Sequence, residues 1–179
     1  MITIREAKPS ERDEIIRVES EAFGGDAGIL TLVSDLLNDP TAQPRLSLLA
    51  FEDQQAVGHV FFTHATLDPV SDTKISLLAP LAVVHAKQKQ GIGGQLIQTG
   101  LRRLAETNVG LVFVLGHPSY YPREGFTPAG IHGLHAPYEI PKKDAGAWMV
   151  QALQPNLIGK VQGTLRCAQA LDKPEYWRE

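Results

Sequence analysis

Gln88-Lys89-Gln90-Gly91-Ile92-Gly93-Gly94 sets glycines, a lysine and amides directly after an apolar run and before an amphipathic one. Such a string can hold an anion. Glycines let the backbone approach a ligand closely and adopt positive φ. A helix starting here offers unpaired backbone N–H groups and a partial positive charge. Together these features make a phosphate cradle, so the segment points to a ligand that carries a pyrophosphate. The run before it, Leu77-Leu78-Ala79-Pro80-Leu81-Ala82-Val83-Val84, reads as a buried strand that breaks at His85-Ala86-Lys87. After it, Leu96, Ile97, Leu101 and Leu104 mark the buried face of the helix.

Charge supports the same site. The formal net charge is −3, yet no acid stands between Asp72 and Glu106. That stretch carries Lys74, Lys87, Lys89, Arg102 and Arg103, and locally it favours an anionic ligand. The acidic total and the scarcity of aromatics near Lys87 to Arg103 argue against nucleic acid as a partner. The single cysteine, Cys167, excludes an internal disulfide and a multi-cysteine metal site. His132 and His135 lack further ligands at suitable spacing, so no metal is expected. No apolar run approaches the ~18 residues of a membrane span. The segment Met1 to Glu6 has no apolar signal-peptide stretch, and a cytoplasmic protein with no membrane partner is expected. With 179 residues, 43% of them hydrophobic, the chain fits one domain.

The remaining elements must position the cradle. Thr3 to Arg5 reads as a first strand. Ser10 reads as a helix N-cap with Asp13 in the capping-box position. Ile15, Val18, Ala22 and Phe23 follow at helical spacing, and Gly24-Gly25 ends that helix. Ile29, Leu32, Val33, Leu36 and Leu37 form a second stripe, stopped by Asp39-Pro40. Leu46 to Phe51 and Val57 to Thr66 are strands joined by a turn. Gly110 to Gly116, reached through a crossover helix, should lie parallel to residues 77 to 84. Residues 127 to 144 read as a long loop. Trp148 to Leu153 and Val161 to Cys167 read as closing strands.

Two common phosphate motifs fail: there is no G-x-x-x-x-G-K-[ST] string and no G-x-G-x-x-G string. What occurs is Gln88-x-x-Gly91-x-Gly93, between a strand and a helix, with Tyr121-x-x-x-Gly125-Phe126 beyond the next strand. This resembles the acetyl-CoA motif and the later Y-x-x-x-G-F element of the GNAT superfamily of N-acetyltransferases. Val57-Gly58-His59 and the extended C-terminus are similar to a bacterial subgroup of predicted acetyltransferases. There are departures. The second helix offers Asp35 but no arginine, and Arg123-Glu124 stands where the subgroup has an arginine-aromatic pair. The resemblance implies an α/β (α+β) fold: a mixed, mostly antiparallel twisted sheet, splayed parallel strands four and five, and flanking helices. It assigns residues 1–153 to the acetyltransferase domain and 154–179 to an extension packed on it. It leaves room for a homodimer.

The resemblance also implies roles. The pantetheine arm of acetyl-CoA would pair with the backbone of Leu81, Ala82 and Val83, and Gln88, Lys89, Gln90, Gly91, Ile92, Gly93 and Gly94 would hold the pyrophosphate. His117 and Ser119 would line the channel. Transfer to an amine requires a neutral nucleophile, a stabilised carbonyl oxygen and a proton for the leaving sulfur. Tyr121 is the expected proton donor, with Tyr120 the adjacent alternative, and a backbone N–H near Val83 would polarise the carbonyl. Glu21, Asp26 and His59 are candidates for a general base; a water chain, or an amine arriving neutral, would replace one. Cys167 is far from the motif and is not expected to form a covalent intermediate. The acceptor would be a small-molecule or peptide amine, and Glu19, Glu21 and Asp26 hint at a cationic one. The alternative function is a non-catalytic acyl-CoA sensor.

Overall fold

The apolar stripes become two helical layers around one sheet. The structure, a computed structural model, describes residues 1–178. In chain order the elements are β1 (Ile2–Glu6), α1 (Arg12–Ala22), α2 (Ala27–Asn38), β2 (Leu46–Glu52), β3 (Gln55–Asp68) and β4 (Lys74–Val83). Then come α3 (Ile92–Glu106), β5 (Val109–Leu115), β6 (Thr127–Pro128), β7 (Leu134–His135), β8 (Trp148–Ala152) and β9 (Gly163–Arg166). The sheet runs β1-β2-β3-β4-β5-β8-β6, and β9 joins the far end of β3 to β7. Pairing is antiparallel except for β4–β5 and the short β7–β9 contact. This is the mixed, helix-flanked sheet that the resemblance implies.

The strand period of two sends alternate side chains to opposite layers. On β3, a Cβ at Gly58 would meet Leu96 of α3, and Phe62 packs against Gly100 of the same helix. His59 turns the other way and bonds Glu19 of α1. Phe61, Phe62, Phe113 and Phe126 are fully buried and fill both layers.

β4 and β5 part midway. They pair from Lys74 and Val109 to Leu78 and Val114 and no further. β4 continues along β3 to Val83, whereas the outer edge of β5 is taken by β8. The separation has a local cause. Val60 pairs with Leu81 but Phe62 with Leu78, so β4 carries an extra residue at Ala79-Pro80. Such a bulge bends a strand away from its neighbour, and Pro80 has no N–H to donate to a ladder.

The C-terminal segment closes the outer end. Trp148 stacks on Phe113 at 5.1 Å, and its indole N–H donates to the Leu134 carbonyl at 2.9 Å. Trp177 packs edge-on against Trp148 at 5.5 Å. The Ala170 N–H donates to Asp39 at 2.9 Å.

Two local expectations are corrected. Ser10 does not cap α1, because Pro9–Glu11 forms a separate short 3-10 turn. Proline suits a first helical position, and the Glu11 carboxylate accepts from the Lys8 N–H at 2.7 Å while Arg5 grips it with two bonds of 2.8 Å. Residues 127 to 144 are not all loop: they supply β6 and β7, whose pairings reach β8 and β9.

Candidate active site

Gly91 sets the start of α3. It takes a φ of 84°, a left-handed conformation that is cheap only for glycine. The helix then begins at Ile92, so Gly93 and Gly94, read as loop residues, lie in its first turn. The N–H groups of that turn have no acceptor within the helix. A Cβ at Gly93 would run into the Tyr120 hydroxyl, so glycine is what lets the Tyr120 side chain lie against the first turn of α3.

A groove of about 920 Å³ lies over this turn. Of the residues expected from sequence, Leu81, Val83, Gln88, Lys89, Gly91, Ile92, Gly93 and Gly94 line it. Ala82 is buried opposite His59 and can contribute only through its backbone. Gln90 and Ser119 are exposed outside the groove walls, and Ser119 turns its hydroxyl to His117 Nδ1 at 2.7 Å. The Gln88 amide donates to the Val83 carbonyl at 3.0 Å. Gln95, Gln98, Thr99 and Arg102 also line the groove. They follow Gly91 on one polar face of α3, and the helical period would have found them. Tyr120, Arg123 and Glu124 come from the turn after β5, and no sequence period links them to α3.

The basic island is partly neutralised by acids remote in sequence. Lys87 pairs with Glu52 at 2.8 Å and Arg103 with Glu6 at 3.8 Å. Lys89, Arg102 and Arg123 stay on the groove wall with no carboxylate in ion-pair range among the described residues. Arg123 instead stacks over the Tyr120 ring at 5.5 Å. Glu124 is the counter-charge within the groove. Its carboxylate lies beside Gly94 and accepts from the Gln98 amide at 3.1 Å.

A second cavity of about 430 Å³ opens where β4 and β5 part. Ala79 to Leu81 bound it on one side and Val114 to His117 on the other. Phe23, Ile29 and Leu32 come from the α1–α2 region, while Leu171, Tyr176 and Trp177 form a C-terminal wall. Leu81 and Tyr120 line both cavities, so the two meet there. Tyr121 lines only the second, packed edge-on against Tyr120 at 5.1 Å and Phe126 at 5.8 Å. Burial pushes the Tyr121 phenol well above its ordinary value, so it is protonated at neutral pH. Burial and the nearby Glu124 raise Tyr120 as well.

The base candidates are all engaged elsewhere. Glu21 pairs with Arg17 at 3.0 Å, and Asp26 caps α2 by accepting from the Ile29 N–H at 3.1 Å. His59 is fully buried between Glu19 at 2.8 Å and the Ser47 hydroxyl at 2.8 Å. Burial raises the Glu19 carboxyl above its usual range, and the hydrogen bond from His59 opposes that rise. None of these groups lines either cavity. The acids that hinted at a cationic acceptor are thus spent on structure. Cys167 also lies off both cavities, and burial pushes its thiol up to about 12. Among the described residues no cluster of His, Cys, Asp or Glu is arranged to hold a metal ion. No helix among them is long and apolar enough to cross a membrane.

No protein-family model matches the chain. Individual proteins do. The chain is 45% identical over 163 residues to the uncharacterized N-acetyltransferase YjhQ of Escherichia coli K12, covering 89% of this chain and 88% of that protein. Its fold superposes with a TM-score of 0.85 on the GNAT family N-acetyltransferase YhbS of Escherichia coli, solved in complex with CoA, at 29% identity over 96% of this chain and 92% of that one. A GNAT family acetyltransferase from Brucella melitensis, solved in complex with acetyl-CoA, gives a TM-score of 0.75 at 27% identity, covering 96% of this chain and 99% of that one.

Proposed function

Because this chain belongs to the GNAT superfamily of N-acetyltransferases, we propose that it moves an acetyl group from acetyl-CoA to a primary amine by direct attack in a ternary complex. The observation that carries this reading is the meeting of two cavities at Leu81 and Tyr120, where β4 and β5 part. One cavity has a helix N-terminus and unpaired cations, which suit a pyrophosphate. The other is apolar and suits the acceptor. The glycines Gly91, Gly93 and Gly94 on the groove wall leave its backbone without side chains there, which supports the fit to CoA.

In this reading the N–H groups of Lys89 to Gly94 hold the pyrophosphate. The edge of Leu81, Ala82 and Val83 that β5 leaves open pairs with the pantetheine amides as with an added strand. Bound acetyl-CoA supplies the thioester: its C–S bond breaks as the C–N bond to the amine forms, one proton leaves the amine, and one reaches the sulfur. Tyr121, on the wall of the cavity that opens where the strands part, gives that second proton and regains one from water. A backbone N–H near Val83 stabilises the charge that develops on the carbonyl oxygen. With Glu21, Asp26 and His59 engaged elsewhere, the amine loses its proton to water.

Free-thiol release from acetyl-CoA across a panel of primary amines tests the activity. Tight CoA binding without release on any amine would instead indicate an acyl-CoA sensor. Tyr121→Phe is expected to lower kcat about a hundredfold and to leave acetyl-CoA affinity nearly unchanged. Unaltered turnover at saturating substrate would remove Tyr121 from the mechanism.

A further inference from the structure

Among the described residues, the wall of the second cavity carries no carboxylate. The lining residues able to form side-chain hydrogen bonds are Tyr120, Tyr121, Tyr176, His117 and Trp177, and the Trp177 indole N–H already donates to the Leu171 carbonyl. Among the described residues, no Asp, Glu, Lys or Arg lines it. On the α1–α2 side Glu21 pairs with Arg17 and Asp26 accepts from the Ile29 N–H, and neither lines the cavity. Asp35, also on α2, lies 4.0 Å from Lys173, and Asp172 accepts from the Tyr138 hydroxyl at 2.8 Å. An acceptor with a second positive charge would bury it here without a partner, which is strongly unfavourable.

What the cavity offers instead is apolar and aromatic surface. Phe23 is 39% exposed, unusual for a large apolar side chain of this chain, and it stands on the cavity wall. Leu32 from α2 and Leu171, Tyr176 and Trp177 from the C-terminal segment complete the lining. The few hydrogen-bonding groups would leave most of a peptide backbone unpaired.

We propose that the acceptor is a small monoamine with an uncharged aromatic or branched aliphatic body, held between Phe23, Leu32 and the wall formed by Leu171 and Tyr176. This rests on the acetyltransferase reading and names the substrate class of the same site. The body is sorted by desolvation: apolar surface gains from leaving water, and an additional ammonium loses. The C-terminal segment therefore acts as a specificity wall.

The test compares an arylalkyl monoamine such as phenethylamine and a branched alkylamine with spermidine, an aminoglycoside and a short peptide with an apolar N-terminus. Thiol release is read at saturating acetyl-CoA, and calorimetry measures binding of each amine to the CoA-loaded protein. The expected kcat/KM for the arylalkyl monoamine exceeds that for either polycation by at least about tenfold. Tyr176→Ala is expected to raise its KM about tenfold while KM for acetyl-CoA holds. Ile29→Asp adds a carboxylate to the wall, where the helix N-terminus tolerates it, and is expected to move the preference toward spermidine. A wild-type preference for polycations or for the peptide overturns the proposal, as does Ile29→Asp without any shift. If no amine releases thiol but the CoA-loaded protein still binds phenethylamine over spermidine, the transfer reading fails and the pocket assignment stands.

Discussion

Glu124 places a carboxylate where a cofactor phosphate is expected. It lies beside Gly94 in the first turn of α3 and is held by Gln98. An anion there competes for the helix N-terminus and for Lys89, Arg102 and Arg123. Between partly exposed charges this is worth about 1 kcal/mol. Glu124→Gln is expected to tighten CoA binding roughly fivefold at low salt, with the gain shrinking as salt screens it. Calorimetry at two ionic strengths reads it, and an unchanged Kd would place Glu124 outside the groove's field. The Glu19–His59 pair works differently, through stability. Glu19 is fully buried, and its second oxygen has no hydrogen-bond partner. His59→Ala removes the group that offsets its burial, and urea titration is expected to show a loss of about 3–5 kcal/mol at neutral pH. The sign with pH follows from the raised Glu19 value. Stability is retained below the unfolded carboxyl value near 4.3 and lost as pH rises through the higher folded value. The penalty of the variant therefore grows from pH 4 to pH 7, and a constant penalty would mean that Glu19 is not the cause. Gly91, Gly93 and Tyr121 can be proposed as site residues from sequence because each sits in a short local string. Glu124 was legible only as a departure from a pattern; its position against α3 depends on the fold.

The strand-loop-helix unit of β4 and α3 is the element most fully anticipated from sequence. Its apolar run, its glycines and its amphipathic helix are contiguous, and local propensity and packing agree on them. What the run did not reveal is the bulge at Ala79-Pro80, which frees the edge of β4. The cap of α1 was misread for a related reason. Ser10 is a fitting capping residue, yet the Arg5–Glu11 pair, closed by β1, fixes a different turn. A test of α3 as a cradle follows from the contact between Gly93 and Tyr120. Gly93→Ala is expected to turn Tyr120 into the groove and to weaken CoA binding several-fold. The thermal midpoint should move little, because the displaced atom is the tip of one side chain. Normal CoA affinity with an intact fold would take Gly93 out of the approach path.

At the scale of the whole molecule, the C-terminal segment joins the sheet to the second cavity. We propose that residues 154–178 are integral to the domain. β9 pairs with the end of β3, Trp177 packs on Trp148, and Leu165, Leu171 and Trp177 are buried. Each such side chain contributes about 2 kcal/mol, a large share of a typical stability of about 5–15 kcal/mol. A chain ending at Leu153 is expected to melt far lower or to aggregate, read by thermal unfolding, and a native-like melt would make the segment an accessory. The sequence by itself pointed to the donor side: the glycine string between an apolar run and an amphipathic helix is written in neighbouring residues, and with Tyr121-x-x-x-Gly125-Phe126 it carried the resemblance that implied the mixed fold. Only the tertiary structure decided which of those charges are paired and what the second cavity is made of. Glu52 reaches Lys87, Glu19 is withdrawn into the core with His59, and Leu171 and Tyr176 wall a cavity begun by Phe23. These partners are far apart along the chain, and burial and pairing between them are set by the folded packing.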